Sequence, residues 1–137
     1  MSKAKISSTI ELEYDTFGDP SDPALLLIMG YTAQMVAWEV EFCKMLAAKK
    51  LFVIRFDNRD CGLSTKFDGV QVDVNAVVTA ALMEEPIPPV PYTLSDMASD
   101  AVGLLDFLKI DRAHVMGASM GGMISQVLTV EHPSRVR

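Results

Sequence analysis

The chain has 137 residues, half of them apolar and 22% charged, with a formal net charge of −6 at pH 7. These figures suit one folded domain spanning residues 1–137 and exclude disordered, collagen-like and coiled-coil classes. The acidic balance, with no basic run longer than Lys49-Lys50, excludes a nucleic-acid footprint.

Met1 to Lys5 leads into polar residues with no apolar core of a secretory signal. The longest apolar run, Ala24 to Met29, is far too short to span a bilayer. The expectation is a cytoplasmic protein without membrane contact. Its two cysteines, Cys43 and Cys61, lack metal-ligand spacing and are expected as free thiols. Neither a metal nor a cofactor is expected.

Ile6 to Tyr14 alternates apolar and polar residues and predicts a half-buried strand. The turn formers of Phe17 to Pro23 close it. Ala24 to Met29 predicts a strand buried on both faces, as in a parallel sheet. Val36, Val40, Cys43, Leu46 and Ala47 recur at helical steps and predict a helix over 36–50. Leu51 to Phe56 predicts a second buried strand, ended by the turn-rich Asp57-Asn58-Arg59-Asp60-Cys61-Gly62. Residues 67–92 predict a flap-like excursion over the sheet end. It holds a short helix over 74–83 before Pro86, Pro88, Pro89 and Pro91 interrupt the pattern. Thr93 with Asp96 predicts a capping box, opening a helix that buries Met97, Ala101, Leu104, Leu105 and Leu108. His114-Val115-Met116 predicts a short strand, and Gly121 to Glu131 a helix stopped by Pro133. Strands alternating with helices predict an α/β fold with a mostly parallel sheet and helices on both faces.

Gly117-Ala118-Ser119-Met120-Gly121-Gly122 falls between the last strand and the last helix. A nucleophile elbow needs this strand–turn–helix setting. The serine must adopt a strained backbone so that its hydroxyl stands clear of the sheet. Gly117 and Gly121 lie where side chains would collide with neighbouring strand and helix. The helix N-terminus sets the Met120 N–H beside Ser119, where an oxyanion would form. Met29-Gly30-Tyr31, directly after the first buried strand, predicts the second donor: Gly30 lets the backbone bend, and the Tyr31 N–H points to the oxyanion. No P-loop is present, because Gly117 to Gly122 lacks the required lysine.

The chain resembles the N-terminal half of the α/β-hydrolase superfamily, in the group of aclacinomycin methylesterase-like serine esterases. The resemblance is carried by Phe17 to Pro20, Leu25 to Gly30, Arg55 to Ser64, Tyr92 to Ala98, the elbow, and Glu131 to Val136. It implies hydrolysis of a small-molecule carboxylic ester through an acyl-enzyme on Ser119. It also implies that the Asp57–Asp60 loop braces the site by hydrogen bonds rather than supplying a catalytic acid. A serine at the elbow argues against the dehalogenase and epoxide-hydrolase branches, which use aspartate there. Lyase or cofactor-free peroxidase chemistry of the same superfamily stays open.

On this fold the triad runs serine, then Asp or Glu, then His. After Ser119 the only carboxylate is Glu131 and the only histidine its neighbour His132. A helix rising ~1.5 Å per residue carries both roughly 18 Å from the serine. His114 begins the strand that ends at the elbow and is expected to be a satisfied structural histidine. The acid and base are therefore expected to be absent, as in a fold truncated after the elbow helix. The chain alone is then a weak or inactive esterase. The alternative is a non-catalytic remnant or assembly module. The last strand is expected to leave an apolar sheet edge, covered by a second copy or by a complementary C-terminal fragment.

Overall fold

The structure is a computed structural model describing residues 1–137. Five strands form one mixed sheet in the order β1-β2-β4-β3-β5. They are β1 (Ser2–Lys5), β2 (Glu11–Phe17), β3 (Ala24–Ile28), β4 (Phe52–Phe56) and β5 (His114–Gly117). The helices are α1 (Val40–Ala47), α2 (Val74–Leu82), α3 (Leu94–Phe107) and α4 (Met120–Glu131). β3 pairs in parallel with both β4 and β5, whereas β1–β2 and β2–β4 are antiparallel.

Two expected elements change. The alternation from Ile6 to Tyr14 is not one strand but a bend feeding β2. Ser7 Oγ accepts the Thr9 and Ile10 N–H groups, and the Ile6 N–H reaches the Ile10 carbonyl, so the chain folds back on itself. Short hydroxyl side chains compete with the ladder for backbone groups at such points. The helix expected over 36–50 splits into a 3-10 turn at Met35–Ala37 and the shorter α1. Val36 and Val40, expected on its buried stripe, are exposed, and Met35 is buried instead.

β3 and β4 are buried at every position, because helices cover both faces. Leu26, Ile28, Ile54 and Phe56 join Leu104, Leu105, Ile124 and Leu128 of α3 and α4 in the larger core. Leu25, Leu27 and Val53 pack with Cys43 of α1 on the opposite face. The Thr93 capping box forms: Thr93 Oγ1 accepts the Asp96 N–H, and the Asp96 carboxylate accepts the Thr93 N–H at 2.7 Å. The segment 67–92 contributes one buried residue, Ala80. At the far edge, β5 has no neighbouring strand. Val136 forms an isolated parallel bridge with Ala113 at its foot. No helix is long and apolar enough to cross a membrane.

The connections from β3 and β4 diverge. The chain leaves β3 for β4 on one side, then crosses β3 to reach β5 on the other. Loops leaving the carboxyl ends of strands part at such a switch point and leave a crevice there.

Candidate active site

Three loops meet at that crevice: residues 29–35 after β3, 57–66 after β4, and the elbow after β5. Ser119 has φ 53° and ψ −124°. A non-glycine residue held at positive φ is strained. The surroundings enforce it. The Ala118 N–H binds the Ile28 carbonyl at 3.0 Å, and the Gly122 N–H returns to the Ser119 carbonyl at 2.8 Å. A side chain on Gly121 would run into the Ile28 carbonyl, and one on Gly117 into the Gly121 backbone. These two glycines let the last helix press against β3 and β5, so that the tight turn leaves Ser119 exposed at its apex.

Gly30 does the same for the neighbouring loop. A Cβ on it would lie 2.9 Å from Ser119 Cβ and 3.0 Å from the Ala118 carbonyl. The 29–31 backbone therefore lies against Ser119. Neither the Tyr31 N–H nor the Met120 N–H is used in a hydrogen bond within the chain. The second is one of the N–H groups that a helix start leaves without a partner. The Tyr31 side chain is exposed and contributes no packing here.

The loop after β4 holds this backbone in place, through Asp57, which lies in the loop that the resemblance assigns to bracing, and Asn58, which the sequence does not single out. Asn58 donates to the Met29 carbonyl at 2.9 Å. The buried Asp57 carboxylate accepts the Met35 N–H at 2.7 Å and the Leu63 N–H at 2.9 Å. The Cys61 thiol reaches the Ala33 carbonyl, and burial pushes it up from the ordinary thiol range. The bracing implied by the resemblance is thus made by Asp57 and Asn58. Asx side chains after a strand signal a turn, but their long-range partners leave no trace in the local pattern.

Beside the elbow opens a cleft of about 870 Å³ lined by Gly30, Tyr31, Met97, Met120, Val77 and Ile87 among others. Its polar wall is built on Arg59. That guanidinium grips Asp100 with two hydrogen bonds of 2.6 and 2.7 Å, and the Asp100 hydrogen bonds raise it further above its ordinary value. Burial pushes the Asp100 carboxyl up, against the pull of Arg59. Tyr92 donates to the Asp60 carboxylate at 3.0 Å. Burial first, and that hydrogen bond second, push its phenol up to about 12.

The two histidines lie away from the elbow. His114 starts β5 at the opposite end. It is exposed rather than a satisfied structural histidine, because its side of the β5 edge has no covering element. His132 follows the last residue of α4, and Glu131 there accepts the Ser95 hydroxyl at 2.7 Å. No group of three or more His, Cys, Asp or Glu side chains is arranged to hold a metal ion.

Residues 23–137 match the alpha/beta hydrolase fold family, and the chain belongs to it. Among curated relatives, it is 36% identical over 127 residues to the rhodomycin D methylesterase DauP of Streptomyces sp. (strain C5), covering 93% of this chain and 37% of that protein. It is 29% identical to 3-oxoadipate enol-lactonase 2 of Acinetobacter baylyi, covering 92% of this chain and 39% of that one. The crystal structure of a hydrolase from Pseudomonas aeruginosa PA01 superposes with a TM-score of 0.76 at 28% identity, covering 99% of this chain and 43% of that one. The chain thus spans about two fifths of the length of the relatives it matches.

Proposed function

We propose that Ser119 is the nucleophile of an ester hydrolase acting on small-molecule esters in the cytoplasm. The observation that carries this reading is the strained Ser119 backbone with Gly30 packed against it. Strain of this kind persists only where the surrounding structure enforces it, and it leaves the hydroxyl presented at the apex. The match to a methylesterase and an enol-lactonase supports ester chemistry. Two free cysteines support a reducing compartment.

Ser119 Oγ attacks the ester carbonyl carbon while its proton passes to a base outside these 137 residues. The Tyr31 and Met120 N–H groups receive the developing oxyanion. The carbonyl re-forms as the alkoxide leaves and takes that proton. Water then cleaves the acyl-enzyme by the same steps. With no histidine at the elbow, the 137-residue chain alone turns over esters weakly or not at all.

Intact mass after exposure to a fluorophosphonate probe tests this reading. One adduct, absent in Ser119→Ala, is expected once the base is supplied by a longer chain or by a partner. No adduct under that condition would sink it. The open outer edge of β5 favours a second reading, an assembly module that pairs with another copy or with a complementary C-terminal fragment.

A further inference from the structure

The cleft is apolar except for one wall, and the charges on that wall do not cancel. Two charged side chains line it, Arg59 and Asp60. Arg59 is nine-tenths buried, and both of its bonded nitrogens are taken up by Asp100, itself buried. Its guanidinium also lies over the rings of Phe67 and Tyr92, at 5.8 and 5.5 Å. A bidentate pair of this kind is close to neutral at a distance. Asp60 has no such partner. Its carboxylate accepts only neutral donors, the Phe67 N–H at 3.1 Å and the Tyr92 hydroxyl at 3.0 Å. Each oxygen keeps acceptor capacity, and the residue is exposed to the cleft. Lys66, on the same loop, is exposed and lies outside the lining.

We infer that Asp60 is a specificity-determining residue: the cleft takes apolar esters that carry a protonated amine and turns away esters that carry a carboxylate. This substrate class rests on the ester-hydrolase reading above. An uncompensated carboxylate beside apolar walls attracts a cation and repels an anion more strongly than it would in open water. The bland alternative is that Asp60 only fixes Tyr92 and Phe67 in place. That role would change the affinity of every ligand alike, whatever its charge.

Calorimetric titration of the chain with three matched naphthyl amides separates the two. They differ only in one substituent: aminomethyl, methyl or carboxyl. The aminomethyl amide is expected to bind about fivefold tighter than the methyl one, and the carboxyl amide about fivefold weaker. Asp60→Asn keeps an acceptor oxygen and the side-chain shape. It should bring all three within about twofold while leaving the methyl amide unchanged, and added salt should compress the wild-type ladder. Equal binding of amine and carboxylate, a ladder that survives Asp60→Asn, or no saturable binding of the methyl amide would each overturn the inference. Amides do not acylate Ser119, so the ladder is read apart from the reaction. A ladder with no probe adduct once the base is supplied would remove the hydrolase and keep the charge reading; an adduct under that condition without a ladder would do the reverse.

Discussion

Ser119 carries a conformational cost that a simple substitution exposes. At φ 53° a glycine sits without strain. Ser119→Gly is therefore expected to raise stability by about 1 kcal/mol even as it abolishes probe labelling, whereas Ser119→Ala abolishes labelling and keeps the strain. Urea melts of the two variants check this. Gly121→Ala works in the opposite sense, since its new methyl has to displace the Ile28 carbonyl. A loss of about 2–4 kcal/mol is expected, from backbone displacement in a packed core. Tyr92 offers a spectroscopic test. It is one of three tyrosines, and its phenol is pushed up to about 12. An ultraviolet titration should show one phenol ionising well above the usual value near 10. Tyr92→Phe should delete that step.

The capping box of α3 decides how firmly one wall of the cleft stands. Thr93→Ala is expected to cost about 1 kcal/mol. The Thr93 hydrogen bonds hold the Asp96 carboxyl below the usual carboxylate range. Its folded value is depressed, so its contribution is present above the unfolded value near 4 and is lost as pH falls through the folded one. Denaturant midpoints measured downward from pH 5 should drop less steeply in Thr93→Ala than in wild type. This box was legible from Thr93 and Asp96 alone, because its partners lie within one helical turn. The elbow was legible for the same reason: Gly117, Ser119 and Gly121 form a local pattern between a strand and a helix. The β1–β2 hairpin was not, because the alternation of Ile6, Ser8 and Ile10 continues in phase through a bend made by Ser7. The hold of Asn58 on Met29 was hidden too, since the register of β3 on β4 brings those ends together. The elbow is written in neighbouring residues. The braces that position the loop beside it exist only once the sheet has formed.

At the scale of the whole molecule, the sheet's two edges differ. β1 carries Lys3 and Lys5, charges that discourage further pairing. β5 offers His114 and the part-exposed Met116, with only Val136 bridging its foot. The 137-residue chain is expected to self-associate at micromolar concentration, and Met116→Lys to weaken that association. A species of 15.0 kDa in light scattering across the concentration range would contradict it. The pairing of β5 with β3 also carries a consequence in time. It joins segments from opposite ends of the chain, and such long-range closures come late in folding. Until Ala118 has found the Ile28 carbonyl, nothing compels Ser119 into its strained turn. A nascent or partly opened chain thus carries a serine in ordinary backbone geometry, and the strained one, which the proposed function makes the nucleophile, arrives only with the finished sheet. Labelling at this residue would then report the completion of folding.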